Sequence, residues 1–556
     1  MKITMNTASR LHKLQQPFVQ FYLIPFIIFA VAFLLRAAWI GIHMGQDEVY
    51  YVGYASDLLH GKSFANVFPP FFEMVLVPVL WLSGESEIVV HIFMAFLGAL
   101  SVLFVYLIGR KFFNAWVGII GAILLMFNTT HWFFSAFGML DVPATLFATS
   151  AIYFLWSGYV EKNKKMLLIG SLLNVAAVFT RYTIFPSAAL FGYWLFFDRR
   201  SLRNKQLLLA VLLPFIVWGM WMFYFITQVG WLWNWWLRYV TGQLSINVPW
   251  YFYFQAVRFE FLGPLLATFA IFTSLFLLFN KSKMLGEKWK RGLNYLFLVL
   301  FVCTAYYFSQ QIFLQPTQEA AIGLLAVALP AIYFFNLSDV RKIFSKKIKL
   351  ERPDFKKFLV LLIAAVFLFY SPLGVKFPRY VMSSLPAIYL FIGMLIYEIR
   401  SYKIYLLIGV IVLSLFVFAN AEDTINKLVV DKTINEVKFT AQKYVNDNSQ
   451  QCSQVYSRTW YGFYYLRNRV TDLPGDADSL KNIIKSNCNC PPKFFIVEGA
   501  FEGKFSNVTT KEKSFQQNSV NYKLTWNGIT SETAFIAPVD VYKINDNFIK
   551  QICPTV

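Results

Sequence analysis

Charged residues are scarce in this chain of 556 residues. Only 14% of its residues are Asp, Glu, Lys or Arg, whereas 57% are hydrophobic. A soluble protein of this size cannot hide so much apolar surface, so the lipid bilayer must be the solvent for most of the chain. The scarcity of charge excludes a wholly soluble protein and predicts a polytopic α-helical membrane protein.

Acidic residues are scarcer than basic ones. The excess of 50 Lys and Arg over 30 Asp and Glu gives a net charge of +20, which by itself would suit a nucleic-acid partner. However, the basic residues gather in short loops between apolar segments, where they mark the cytoplasmic side of a membrane protein. Because no basic stripe lies outside those loops, we expect no nucleic-acid partner.

Two further absences concern the substrate. Neither a P-loop nor a Gly-x-Gly-x-x-Gly segment occurs on the predicted cytoplasmic side, so no motif there indicates a nucleotide. The chain also has no convincing internal repeat, a feature of many transporters. A substrate that is already carried by the membrane is therefore favoured over a soluble nucleotide sugar.

Cysteine is also rare, and four of the five cysteines lie near the end of the chain: Cys452, Cys488, Cys490 and Cys553. Outside the cytoplasm such a set predicts two disulfides. Cys488 and Cys490 are too close to bond easily with each other, so Cys452 and Cys553 pair with them in one of two ways. A zinc site is the alternative, although this region has no histidine. Cys303 is expected to be a small buried hydrophobe in an apolar helix.

The pattern of basic loops predicts the topology. Met1–Gln16 is basic and should stay cytoplasmic, and Phe18–Ile42 is long enough to span as a retained first helix. The later cytoplasmic clusters, each separated from the next by enough apolar chain for two crossings, are Arg110-Lys111, Lys162–Lys165, Arg199–Lys205, Lys281–Arg291, Arg341–Lys357 and Arg400–Lys403. The sum is about 13 transmembrane helices in the cell membrane, with the N-terminus cytoplasmic and the C-terminus extracytoplasmic.

Two domains follow from this topology. Residues 1–420 form the transmembrane domain, and its outer loop 43–87 carries juxtamembrane helices at Tyr50–Leu59 and Phe71–Leu82, with Pro69-Pro70 between them. Residues 421–556 lose the long apolar runs and regain polar residues. They are expected to form a small extracytoplasmic α/β domain that can bury its own core.

Charged residues from distant parts of the sequence share the predicted outer layer of the membrane. Charges near a membrane interior are costly and tend to mark functional sites. A polyprenyl-phosphate sugar would place its phosphate in this layer, where cations must stabilise the leaving group and a carboxylate must act as base for the acceptor hydroxyl. We predict Asp47 and Asp141 as catalytic residues. The predicted substrate-binding residues are Glu48, Tyr50, Arg181, Arg258, Lys376, Arg379 and Tyr380.

Each residue also has a simpler interpretation. Asp141 could cap the helix that follows it, and Arg181 and Arg379 could snorkel to lipid headgroups. Glu48 could merely pair with a neighbouring cation. No cofactor is required by the chemistry, but a divalent metal held by Asp47, Glu48 or Asp141 is possible, with His43 nearby.

An ordered set of motifs over roughly residues 18–400 carries a resemblance. The set comprises Asp47-Glu48 with Tyr50-Tyr51, Glu85-Ser86-Glu87, Gly109-Arg110, Leu140-Asp141, Pro249–Tyr253 with Gly263-Pro264, and Lys376–Tyr380 with Leu385-Pro386. With these motifs the chain resembles the GT-C superfamily of membrane glycosyltransferases, especially the branch of protein O-mannosyltransferases and lipid A aminoarabinose transferases. The resemblance implies a GT-C-like fold and inverting transfer from a polyprenyl- or dolichyl-phosphate sugar, with Asp47 as the leading carboxylate.

One motif departs from the aminoarabinose transferases. Those enzymes carry Glu-Lys-Pro-Pro in the first loop, where this chain has Val67-Phe68-Pro69-Pro70. Two polar groups are therefore missing, which argues against an amino-sugar donor and a lipid A acceptor.

The expected function is transfer of a sugar, a hexose such as mannose, from a polyprenyl- or dolichyl-phosphate donor to an acceptor hydroxyl at the outer membrane face. The acceptor is a glycan, a lipid or a protein. A flippase for lipid-linked sugars is the main alternative. An oligosaccharyltransferase is a second alternative, but residues 421–556 lack its usual Trp-Trp-Asp motif.

Overall fold

The computed structural model describes residues 19–45, 47–62, 69–181, 183, 185–228, 249–281, 286–309, 315–335, 353–371, 376–449, 453–457, 470–471, 476–498, 505, 507–515, 524–526, 529–531 and 539–554. Several features named from the sequence lie outside these residues, among them the basic segment Met1–Gln16, Val67-Phe68 of the first-loop motif and Cys452.

Helices dominate the chain up to residue 448. In order they are α1 Ile24–Ala37, α2 Glu48–Leu59, α3 Phe71–Ser83, α4 Glu87–Phe112, α5 Ala115–Met126, α6 Thr129–Phe134, α7 Asp141–Val160, α8 Lys164–Arg181, α9 Phe185–Phe197, α10 Lys205–Gln228, α11 Phe252–Ala256, α12 Gly263–Lys281, α13 Glu287–Ser309, α14 Pro316–Phe335, α15 Phe355–Tyr370, α16 Leu385–Glu398 and α17 Lys403–Asn448. Short π-helical turns cover Val19–Leu23 and Val257–Leu262, and 3-10 turns cover Ser201–Arg203, Pro378–Ser384 and Ile399–Ser401.

Several of these helices can cross a membrane. Within the described residues, six spans are long and apolar enough: Glu87–Phe112, Lys205–Tyr224, Phe252–Lys281, Pro316–Phe334, Pro378–Ser401 and Lys403–Asn448. Shorter apolar helices accompany them, as at Phe71–Ser83 and Ala115–Met126. The chain is thus a mostly helical, multi-pass membrane protein, and the count of about 13 crossings stays a prediction from loop charge.

The helices share one hydrophobic core that extends from α1 to the first half of α17. Helix α4 packs against α1, α5 and α7 within it. Close approach of α4 and α5 depends on glycine, because a Cβ atom on Gly109 would lie 2.4 Å from the Cα atom of Gly118. The turn between the two helices is held by Asn114, whose side chain accepts a hydrogen bond of 3.0 Å from the Val117 amide.

The first loop, residues 43–87, contains the two short helices that the sequence indicates. Helices α2 and α3 begin and end within two residues of the predicted segments. Pro70 stands immediately before α3, where it cannot continue a preceding helix. Helix α3 ends at Gly84, whose φ of 63° is a left-handed conformation that glycine adopts without strain. The loop is therefore a folded helical segment next to the membrane helices.

Helix α17 leads without interruption into the region of mixed structure. It covers 46 residues, so the predicted domain boundary at residue 421 falls inside it. The strands that follow are β1 Val455–Ser457, β2 Val470–Thr471, β3 Phe494–Glu498, β4 Thr509–Phe515, β5 Leu524–Trp526, β6 Ile529–Ser531 and β7 Val539–Ile544. Helix α18 covers Ala477–Ser486 and helix α19 covers Asp546–Ile552. We call this region, from residue 449 onward, the tail.

The tail is organised around a five-stranded sheet with the order β2-β1-β3-β7-β4. Strand β1 is parallel to β2 and β3, whereas β7 is antiparallel to β3 and β4. Apolar residues at the end of α17 cover one face of the sheet, where Val437, Ala441 and Val445 pack with β1, β3 and β7. A second cluster on other tail residues contains Leu480 and Ile484 of α18 and Ile549 of α19. Strands β5 and β6 form a separate antiparallel pair.

One of the two possible cysteine pairings is present. Cys488 is disulfide-bonded to Cys553, as one of the predicted alternatives has it. Cys490 is disulfide-bonded as well. The prediction for Cys303 was wrong, because this free thiol is exposed on α13 rather than buried. An apolar helix that borders lipid leaves some of its small residues on the outer surface, so helical apolarity alone does not indicate burial.

Candidate functional site

The first part of the site is an ion pair between the first loop and a late loop. Asp47 stands at the N-cap position of α2, but its side chain caps no backbone amide. Its Oδ2 atom instead accepts a hydrogen bond of 2.8 Å from Arg379 Nη2, which lies 332 positions later in the 3-10 turn Pro378–Ser384. The Asp47 side chain is 49% exposed and that of Arg379 is 14% exposed. The pair therefore presents an accessible carboxylate beside a half-buried guanidinium.

The second part is a buried ion pair at the start of α7. Arg181 Nη1 lies 2.7 Å from Asp141 Oδ2, and the Asp141 side chain is 0% exposed. Leu140, not Asp141, occupies the N-cap position of α7, and Asp141 stands in its first turn. The helix dipole favours an anion at this place, yet the side chain does not serve as the cap that the simpler interpretation required. Within the described part of the chain, the Asp141 oxygens have no hydrogen-bond partner of good geometry.

Tyr51 connects the two pairs. Its buried phenol interacts electrostatically with all four charged groups of the pairs, and burial raises its pKa, so it stays protonated. The ring of Tyr380 lies 4.7 Å from the guanidinium carbon of Arg181, and the ring of Phe377 lies 5.1 Å from that of Arg379. Asp47, Arg379, Asp141 and Arg181, which we call the charge quartet, thus form one cluster lined by aromatic rings.

The quartet has unused hydrogen-bonding capacity. Arg379 Nε is buried and has no hydrogen-bond partner among the residues that the structure describes. Both guanidinium groups carry more N–H donors than their single carboxylate contacts use. A guanidinium fork matches the oxygens of a phosphate group, so this cluster is chemically suited to an anionic headgroup.

Glu48 lies next to Asp47 in sequence but faces a different environment. Its Oε1 atom accepts hydrogen bonds from His91 Nε2 at 2.8 Å and from the Gly138 amide at 2.6 Å. Its Oε2 atom accepts one from the Gly45 amide at 3.1 Å. The structure therefore places this carboxylate in a buried network that joins the first loop to α4 and to the turn before α7, outside the quartet.

The other predicted binding residues lie outside the quartet. Tyr50 stacks on Tyr54 along α2, with ring centroids 6.4 Å apart. Lys376 is buried just before the 3-10 turn that carries Arg379, and burial lowers its pKa. Arg258 is paired with Glu319 of α14 at 2.5 Å, so the structure gives it a partner of its own. Asp47, Asp141, Arg181, Arg379 and Tyr380 are the predicted residues that the fold brings together.

Sequence reasoning missed two residues of this region. His91 is the partner of Glu48, and a single histidine in the apolar run of α4 was the available signal. Tyr51 lies in the motif next to Tyr50 and was not singled out as a site residue. Its burial between α2 and the charged pairs could not be read from the sequence, because it depends on packing across distant segments.

A metal ion would have to be held by the same side chains. Among the described ranges, no group of three or more His, Cys, Asp or Glu side chains is arranged to hold a metal ion. Asp47 and Asp141 each contact an arginine, and Glu48 contacts His91.

Part of the chain matches a known protein family. A family model described as dolichyl-phosphate-mannose-protein mannosyltransferase matches residues 68–224. Over 125 residues the chain is 28% identical to dolichyl-phosphate-mannose–protein mannosyltransferase 1 of Saccharomyces cerevisiae. That stretch covers 19% of this chain and 15% of the yeast protein, so the chain matches only a small part of that relative.

The fold is similar to that of ArnT from Cupriavidus metallidurans. The crystal structure of ArnT bound to undecaprenyl phosphate superposes with a TM-score of 0.57 and 12% identity, covering 94% of this chain and 98% of ArnT. The structure of ArnT in the apo state gives the same TM-score at 13% identity. The predicted resemblance to the GT-C glycosyltransferases is confirmed. The chain is therefore similar to a mannosyltransferase family over residues 68–224 and to ArnT in its fold.

Proposed function

We propose that this GT-C protein transfers a hexose such as mannose from a polyprenyl- or dolichyl-phosphate to an acceptor hydroxyl, with inversion at the anomeric carbon. The observation that carries the proposal is the charge quartet, in which an accessible carboxylate and two guanidinium groups are neighbours. Mannose is supported by the description of the matching family. The arrangement supplies a base and a phosphate site within one cluster.

The arginines are assigned to the donor phosphate. When the bond between the anomeric carbon and the phosphate oxygen breaks, negative charge develops on the leaving phosphate. Arg379 and Arg181 can stabilise that charge, since both have N–H groups beyond those that contact Asp47 and Asp141. Lys376 and Tyr380 are proposed to line the same headgroup site. Tyr50, Arg258 and Glu48 are proposed to help bind the donor from outside the quartet.

The two aspartates receive different roles because their exposure differs. Asp47 is 49% exposed, so an acceptor hydroxyl can reach it, and its carboxylate would take the hydroxyl proton as the oxygen attacks the anomeric carbon. Asp141 is 0% exposed beside Arg181, where it would hold that guanidinium in place and so orient the sugar donor through it. Attack from the side opposite the phosphate accounts for the inverted product.

The site is proposed to face the outside of the cell membrane, with the N-terminus in the cytoplasm and the tail outside. The basic loops support this orientation, and disulfide-bonded Cys488 and Cys553 suit an oxidising compartment. The names of the matching family and of the yeast relative favour a protein acceptor over a glycan or a lipid. The tail would help to select that acceptor.

The test supplies the purified protein in nanodiscs with polyprenyl- and dolichyl-phosphate hexoses and measures sugar transfer and slow donor hydrolysis. Asp47→Asn should lower turnover about 10²- to 10⁴-fold, because it removes the base while keeping the shape. Asp57→Asn is the matched control, since Asp57 lies on the same helix in an exposed pair with Lys62 at 2.9 Å. Full turnover by Asp47→Asn would refute the catalytic assignment.

The same preparation separates the alternatives. A flippase would move lipid-linked sugar across the bilayer of a proteoliposome without transferring it, and that outcome would replace the proposal. Treatment with EDTA addresses the metal alternative, because a metal held by Asp47, Glu48 or Asp141 would make turnover sensitive to chelation and restorable by Mg²⁺ or Mn²⁺.

A further inference from the structure

The first loop contacts the far half of helix α17. His43 Nε2 lies 3.3 Å from Glu436 Oε2, and its ring stacks on Phe439 with centroids 3.7 Å apart and planes 12° apart. Both partners are on the part of α17 that also packs on the tail sheet through Val437 and Ala441. The same turns of one helix therefore touch the loop on one side and the sheet on another.

The closest approach between the first loop and α17 is at Gly45. A Cβ atom added there would lie 2.2 Å from Asn435 Nδ2 and 2.8 Å from Asn435 Cγ, so no larger side chain fits without displacing Asn435. Asn435 is itself only 2% exposed, and its amide donates to Asp431 Oδ2 at 2.8 Å. Within the part of the chain that the structure describes, its Oδ1 atom has no hydrogen-bond partner. Asn435 thus has little freedom to move away from the loop.

The contacted loop is adjacent to the proposed base. Gly45 precedes Asp47 by two residues, and two residues span at most about 7 Å of chain, so a shift of the Gly45 backbone is passed on to Asp47. Gly45 also donates its amide to Glu48, which is fixed by His91. The loop around Asp47 is therefore held from one side by the membrane helices and from the other by α17.

We propose that His43 and Gly45, in contact with Asn435, Glu436 and Phe439, position Asp47 for transfer and so couple the tail to the chemistry. We call these five residues the loop–α17 contact. The inference rests on the proposed function, since it assigns positioning residues to that reaction. It predicts that the contact governs the rate of the chemical step, because a displacement of about 1 Å at a reacting group can cost up to about 10²-fold.

The test uses a substitution and its compensating partner. Gly45→Ala should lower kcat about 10- to 100-fold and leave the KM for the sugar donor within about twofold, because the donor site itself is untouched. Asn435→Ala removes the three atoms nearest to the new Cβ, so the double variant should recover to the level of Asn435→Ala alone. Gly53→Ala is the matched control, since a Cβ on Gly53 meets nothing within 4 Å.

A second variant covers the case in which Gly45→Ala does not fold. Phe439→Leu keeps an apolar residue but loses the ring stack on His43, and it should lower kcat several-fold with the donor KM unchanged. Unchanged kcat in Gly45→Ala or Phe439→Leu, or failure of the double variant to recover, would overturn the proposed role of the loop–α17 contact. If instead Asp47→Asn keeps full turnover, the proposed function is wrong, and there is no reaction for which the loop–α17 contact would position Asp47. The two failures are therefore distinguishable.

Discussion

Asp47 and Glu48 are consecutive carboxylates, and each is paired with a basic side chain at 2.8 Å. Asp47 is 49% exposed and shares its cation, Arg379, with the aromatic-lined quartet. Glu48 is fully buried, and its oxygens accept three hydrogen bonds from the protein. The difference teaches that two consecutive acids can have opposite environments, one exposed beside an arginine and the other buried where it ties the loop to α4.

The largest expected effect is on stability and comes from breaking the buried pair of Glu48 and His91. Glu48→Ala leaves His91 and two backbone amides without their acceptor, and removing one partner of a buried pair costs about 3–5 kcal/mol. We expect a marked fall in the thermal unfolding midpoint in detergent. Glu161→Ala is the matched control, because Glu161 is an exposed acid paired with Lys111, and such pairs are worth about 0–1 kcal/mol. Equal midpoints for the two variants would contradict the anchoring role of Glu48.

A smaller effect tests the cations of the quartet. Arg181→Lys keeps the positive charge beside Asp141 but loses the planar fork, so kcat/KM for the sugar donor should fall about 10- to 100-fold with little change in folding. Arg199→Lys is the control, because Arg199 is exposed and donates to the Leu195 carbonyl away from the quartet. A wild-type kcat/KM for Arg181→Lys would show that the fork does not hold the phosphate.

The smallest effect concerns an ion pair in the tail, between the half-exposed Lys511 and the buried Asp540. In the tail, Lys511 Nζ donates to Asp540 Oδ2 at 2.7 Å, and this hydrogen bond raises the pKa of Lys511 above its usual value. The pair therefore stabilises the folded tail fully at pH values below the pKa of Lys511 in the unfolded chain, about 10.4. This stabilisation is lost as the pH rises through the higher pKa of Lys511 in the folded state. Lys511→Met should therefore flatten the decline of the unfolding midpoint above about pH 10. A decline identical to that of the wild type would exclude this pair as its source.

Much of the fold could be predicted because its signals are local. Apolar runs and basic loops indicate membrane helices, and Pro69-Pro70 and Gly84 mark the ends of the helices in the first loop. The continuity of α17 was not readable in this way. The polar residues after Asn420 signal exit from the membrane, but the helix continues to Asn448 because its end packs on the sheet.

The site, like the fold, could be predicted from the sequence only in part. That Asp47, Asp141, Arg181 and Arg379 share a layer follows from topology, and the structure brings the four together. Their pairings do not follow, because Asp47 and Arg379 are separated by 332 positions and the partner of each acid depends on helix packing. The buried role of Glu48 was hidden for the same reason, since His91 reaches it from another helix.

Helix α17 is fastened to the rest of the protein at two heights. Asn420 Oδ1 accepts a hydrogen bond of 2.9 Å from Thr129 Oγ1 at the start of α6, and Asn435 meets Gly45 fifteen residues later. At about 1.5 Å per residue these fastenings are about 22 Å apart along the helix axis. Two such points determine the tilt of a rod, so the end of α17 that packs on the tail sheet keeps its direction relative to the first loop.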